Sequence, residues 1–152
     1  MDAIELLKKD NQKAKELFDQ AEETEQENDK KRIFKQIKKE LETHARIEEG
    51  ILYPVIENHD QLKELVLKSY KGHRQIKTLL REIDDLASDS KLFEPKLNAL
   101  KQNVKRRNEE EESKMFPQVC ELLDDETLEK IGRQFEVAKG TRSNCLMPYE
   151  VP

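Results

Sequence analysis

His44 and Glu48 stand four residues apart in a stretch of helical periodicity, a spacing that places both side chains on one helix face. There they could hold one metal ion, since imidazole nitrogen with carboxylate oxygen suits iron, manganese or zinc. The segment His44-Ala45-Arg46-Ile47-Glu48-Glu49-Gly50-Ile51-Leu52-Tyr53-Pro54 recurs in altered form as Arg107-Asn108-Glu109-Glu110-Glu111-Glu112-Ser113-Lys114-Met115-Phe116-Pro117. The carboxylate pair, the aromatic and the proline keep their offsets, which makes this an internal duplication with a period of 63 residues. In the second copy an arginine replaces the histidine. Further along, His73 adds a second imidazole in the middle of another periodic stretch.

Four apolar seams position these residues. The first steps through Ile4, Leu7, Asn11, Ala14, Phe18 and Ala21, with a polar side chain at Asn11. The second runs Ile33, Ile37, Leu41, His44, Glu48, Ile51 and Val55, with Asp29 placed to cap its start and Pro54 set to disturb the bond to the Gly50 carbonyl. The third runs Leu62, Val66, Ser69, His73, Ile76, Leu80 and Ile83, and the fourth Leu97, Leu100, Val104, Arg107, Glu111, Met115, Val119 and Leu122. Polar breaks at 23–28, 58–60 and 88–90 separate them. The pattern predicts an all-α, up-down-up-down four-helix bundle, left-handed, with a short extra C-terminal helix from about Asp125 to Ala138. Domain bounds follow as a bundle over 1–139 and a loosely ordered tail over 140–152.

Antiparallel neighbours meet at equal distances from their shared turn. The midpoint of positions 11 and 44 is 27.5, of 44 and 73 is 58.5, and of 73 and 107 is 90, each within or beside a predicted connection. Asn11, His44, His73 and Arg107 are therefore expected in one polar layer, with Glu48 and Glu111 about one turn along their helices.

Composition agrees with long amphipathic helices: 40% of residues are charged, 35% hydrophobic, with four glycines and no tryptophan. The net charge of −5, with both signs interleaved, gives no nucleic-acid footprint. No apolar run nears the roughly 20 residues of a membrane span, so a cytoplasmic protein with no membrane partner is expected. Cys120 and Cys145 have no metal-ligand spacing and are expected to be free thiols, with Cys120 in or near the core.

The duplicated unit, the long helices and the phrases His44-Ala45-Arg46-Ile47-Glu48-Glu49, Tyr53-Pro54, Gly72-His73-Arg74, Glu109-Glu110-Glu111-Glu112 and Phe116-Pro117 together resemble the hemerythrin family, in particular its bacterial hemerythrin-like, HHE cation-binding branch, over roughly residues 2 to 138. The resemblance implies a non-haem di-iron centre with bridging carboxylates and terminal histidines that binds or senses dioxygen or related oxidants. It also implies ligands at His44, Glu48, His73 and Glu111, while Asn11 and Arg107 stand where the family has histidines. Ser69 and Glu112 adjoin this set as supporting candidates, Ser69 as a weak substitute ligand.

Arginine keeps its proton and forks onto carboxylates, so Arg107 is expected to compete with a cation for Glu48 and Glu111. The resulting expectation is an altered, impaired or empty site, with iron sub-stoichiometric or absent, in a monomer or weak homo-oligomer. Two alternatives stand beside it: a metal-free scaffold or binding module, and a repurposed pocket with acid-base activity from His44, His73, Glu48 and Arg107. No catalytic motif supports an enzyme.

Overall fold

The computed structural model describes residues 1–143, with side chains through residue 140. Helix α1 spans Ala3–Glu23 and α2 spans Glu27–Ile47. A π-helical turn, Glu48–Leu52, leads into α3, Tyr53–Ile56, on the same rod. Helix α4 is Asp60–Asp84 and α5 is Phe93–Glu110; a second π turn, Glu111–Met115, leads into α6, Phe116–Leu122. Helix α7 runs Asp125–Ser143. Helix α1 packs on α2 and α5, and α4 on α2 and α5, which closes a ring of four antiparallel rods; α7 lies against α1. The architecture is the expected bundle with an added C-terminal helix.

Helix α1 starts at a reciprocal cap, in which Asp2 accepts the Glu5 amide at 2.9 Å and Glu5 accepts the Asp2 amide at 3.2 Å. The start of α2 differs from expectation. Its cap is Gln26, without a side-chain hydrogen bond, and Asp29 falls in the first turn, where its charge still faces the positive end of the helix dipole. Helix α7 continues through Gly140 to Ser143, past the expected end at Ala138. Residues 144–152, with Cys145, are the part of the expected tail that lies outside the described residues.

The two π turns change which residues face inward. Pro54 has no N–H for the Gly50 carbonyl; the widened turn bonds the Tyr53 amide to the Glu48 carbonyl and leaves Pro54 in the first turn of α3, where its missing donor costs nothing. The insertion rotates the following helix by one residue, so Leu52, Tyr53 and Ile56 are buried, while Ile51 is half-buried and Val55 is 39% exposed. The expected seam through Ile51 and Val55 is thereby corrected. Pro117 repeats the device, with the Phe116 amide bonded to the Glu111 carbonyl and Met115, Phe116 and Val119 buried. Cys120 is exposed rather than near the core, because Phe116 and Val119 take the inward positions of α6.

The apolar core is two clusters rather than one. One gathers Leu7, Ile47, Leu52, Tyr53, Ile56, Leu62, Val66, Phe116 and Val119 with Leu128, Ile131 and Phe135 of α7. The other gathers Phe18, Phe34, Ile37, Leu80, Ile83, Phe93, Leu97, Leu100 and Val104 near the α1–α2 and α4–α5 connections. The polar layer lies between them.

Candidate metal centre

Glu48 and Glu111 are the first residues of the two π turns and are almost fully buried, at 1% and 5% exposure. His44 Nε2 lies 3.2 Å from Glu48 Oε1, and His73 Nε2 approaches the same oxygen at 3.2 Å. One ligand atom each from His44, Glu48 and Glu111 lies within 4.8 Å of the others. His73 joins this group through Glu48, with its ring stacked on Tyr53 at 5.9 Å between centroids.

Both imidazoles are held from behind by carboxylates. Asp10 Oδ2 lies 3.4 Å from His44 Nδ1, and Glu49 Oε2 lies 2.6 Å from His73 Nδ1. A carboxylate on one ring nitrogen fixes the tautomer and orientation that present the other nitrogen to a metal. Lys139 of α7 pairs with Asp10 at 2.5 Å and completes that support. On the opposite side Tyr53 donates to Glu111 Oε2 at 3.3 Å, with Ser69 hydrogen-bonded to the Tyr53 hydroxyl.

The donor set passes a simple test of fit. With both groups ionised, Glu48 Oε2 and Glu111 Oε1 are buried with no donor, although buried acceptors are nearly always paired; only a proton shared between the two carboxyls would link them. Two such oxygens beside an inward Nε2 are what a cation would satisfy. The protein's own groups shift one another's proton affinities in the same layer. Burial and the neighbouring Glu48 charge push the Glu111 carboxyl well above the usual range. Burial acts the same way on Glu48, yet the His44 charge and hydrogen bonds from both histidines hold it well below. Burial disfavours the imidazolium of His44, but Glu48 and Asp10 outweigh it and raise its pKa well above the ordinary value; His73 is raised too, by Glu48 and Glu49 against burial.

Asn11 and Arg107 sit at the expected height and do different things. Asn11 donates to Glu112 Oε2 at 2.9 Å, which directs both side chains toward each other between α1 and the second π turn. Arg107 reaches Glu111 Oε2 only at 3.8 Å and lies across Gly72, where a Cβ would meet its Nη1 at 1.9 Å. The expected guanidinium clamp on both carboxylates is absent: Glu48 is engaged by the two histidines instead. Asp10, Glu49, Tyr53 and Gly72 were not singled out from the sequence as site residues. The first two each adjoin a singled-out residue, Asn11 and Glu48, which is the signal that marks them.

A cavity of about 740 Å³ opens beside the layer between α2, α4 and α5, lined by His44, Glu48, His73, Arg107 and Glu111 and by Leu41, Ile76, Leu80 and Val104. Small molecules can therefore reach the carboxylates. Among the described residues no helix is long and apolar enough to cross a membrane.

The DNA nickase of Nostoc sp. is 29% identical to this chain over 145 residues, which cover 91% of this chain and 39% of that protein. No solved structure matches the chain. The model of the hemerythrin HHE cation binding domain matches residues 2–119, so the chain belongs to the hemerythrin HHE cation-binding domain family.

Proposed function

We propose that the chain is a cation-binding helical module whose altered site holds one divalent transition-metal ion, iron foremost, between His44, His73, Glu48 and Glu111. The observation that carries this reading is the pair of buried carboxyl groups, whose Glu48 Oε2 and Glu111 Oε1 receive no donor from the rest of the protein, beside an imidazole whose far nitrogen is already held by Asp10. A second ion finds no equivalent set, because Asn11 is engaged with Glu112 and Arg107 occupies the remaining histidine position. A bound ion would supply a Lewis-acidic and redox-active centre open to small oxidants such as dioxygen through the α2–α4–α5 cavity. The chain's own part is to orient the imidazoles through Asp10 and Glu49 and to release the protons that His44 and Glu111 carry in its absence.

Metal content tests this on protein purified without chelator from iron-replete medium, beside an Asn11→His, Arg107→His double variant. The reading requires about one ion per parent chain, from the single ligand set, and more in the variant. An empty parent would establish a metal-free scaffold, and two ions in the parent would establish an intact dinuclear centre; either overturns it.

A second reading comes from the relative named a DNA nickase, whose match covers nearly all of this chain. The same histidines and carboxylates could serve metal-assisted cleavage of a phosphodiester. The net charge of −5 provides no general attraction for DNA. Relaxation of supercoiled plasmid by the iron-loaded parent, lost with His44→Ala, would favour it; intact plasmid would remove it.

A further inference from the structure

The α2–α4–α5 cavity has more to it than access to a cation. At about 740 Å³ it is in the size range that small organic ligands fill. Away from the glutamates its wall is apolar, made by Leu41, Ile76, Leu80 and Val104, with Leu80 and Val104 belonging to the second core cluster. Between the apolar wall and the carboxylates stands Arg107, one helical turn past Val104.

The Arg107 side chain is only 15% exposed, yet among the described residues its one ion-pair partner is Glu111 at 3.8 Å, beyond hydrogen-bond range. A guanidinium carries five donors in a planar fork, more than the single distant carboxylate can take up, which leaves donors for a ligand. Gly72, which lines a smaller neighbouring cavity of about 210 Å³ with Ser69 and Glu110, fixes where the fork sits on the border of the two cavities, because the side chain from Cδ to Nη1 occupies the place of a Cβ at that position. Of the other polar groups of the wall, His44 and His73 are engaged with Glu48 and Glu49, and Glu42, Arg46 and Asn108 line it as well. Arg74 and Lys77 also line the cavity, but they are exposed and solvated, so they add little.

We propose that this cavity binds a small monocarboxylic acid with an apolar body, the carboxylate received by the Arg107 fork and the body laid against Leu41, Ile76, Leu80 and Val104. A carboxylate matches the guanidinium with two parallel hydrogen bonds. Its single charge matches the Arg107 cation, whereas a dianion would meet the glutamates beyond it. The proposal does not require a metal ion, so its failure and that of the cation reading are separable by metal analysis of the same preparations.

Calorimetric titration of the full chain with hexanoate, 1-hexanol and acetate tests it. Hexanoate is expected to bind one saturable site at least about tenfold more tightly than hexanol, which lacks the charge, or acetate, which lacks the body. Arg107→Gln should weaken hexanoate by at least about tenfold and leave hexanol unchanged. Gly72→Ala, which keeps every charge and displaces the fork, should weaken hexanoate as well. Equal binding of hexanoate and hexanol, undiminished hexanoate binding by folded Arg107→Gln or Gly72→Ala, or no saturable hexanoate signal would each overturn the proposal.

Discussion

Replacing Gly72 by alanine sets two known effects against each other. In a helix interior the change gains about 0.8–1.0 kcal/mol through backbone propensity. Here the new Cβ would lie 1.9 Å from Arg107 Nη1, 2.6 Å from Cζ and 2.7 Å from Cδ, far inside contact distance. The outer half of the side chain has to move, not its tip alone, and leave its place over Gly72 for the adjoining cavity. Overpacking of this kind costs about 1–3 kcal/mol, so the single variant is expected to be destabilised by up to about 2 kcal/mol after the propensity gain. With Arg107 already truncated to alanine the clash is gone, and the same change should stabilise by up to about 1 kcal/mol. The coupling in the double-mutant cycle is therefore about 1–3 kcal/mol. Urea unfolding of the four proteins, stripped of metal, measures it. If Gly72→Ala has the same effect with and without Arg107, the side chain does not rest on Gly72 and the account of why Arg107 leaves Glu48 to the histidines fails.

Other consequences can be checked directly. The pKa values of His44 and His73 are raised in the folded chain, so their contribution to stability is complete below about pH 6.5 and lost as pH rises through the folded values. The raised Glu111 acts in the same sense. Chelator-treated protein should therefore melt at lower temperature as pH rises from about 6.5 toward 9, and a melting temperature that climbs over that interval would contradict the charge assignment. Asp10→Ala removes the support of His44 Nδ1 and should weaken iron(II) binding by about 10–100-fold, read by competition with a chromogenic chelator; unchanged affinity would mean that Asp10 does not hold His44 for a metal. Tyr53→Phe takes away the donor to Glu111 Oε2 and leaves a further buried oxygen unpaired, at a cost of about 1–3 kcal/mol in urea unfolding of the metal-free chain.

The fold and the height of the site were legible because they depend on period alone. Asn11, His44, His73 and Arg107 break four apolar seams, and equal distance from the turns sets them level. The phase change after Glu48 was harder to read. A regular 3.6-residue period puts Ile51 and Val55 inward, and the π turn that rotates them away depends on where Pro54 can shed its clash. The duplication held the correction: 63 residues on, Met115, Phe116 and Val119 correspond to Leu52, Tyr53 and Ile56, the residues found buried. Arg107 was placed correctly but not aimed. Charge alone draws a guanidinium to Glu48 and Glu111, whereas its path over the bare backbone of Gly72 depends on the closeness of two helices, which sequence does not specify.

The polar layer also divides the molecule mechanically. Each rod passes from one apolar cluster to the other through a level where side chains meet by charge and hydrogen bond, so the bundle behaves as two stacked half-proteins joined at a waist. Helix α7 buttresses one half only, the half that contains both π turns. The half near the α1–α2 and α4–α5 connections is held by fewer neighbours, and its amides should open first in hydrogen exchange when the waist is loose. The residues proposed to hold a cation come from the α2 rod, from α4 and from the start of the second π turn, so occupancy would cinch three rods at that level. Loading of the centre would then be felt at the far ends of the helices, tens of ångströms from any coordinating atom, as slower exchange across the unbuttressed half.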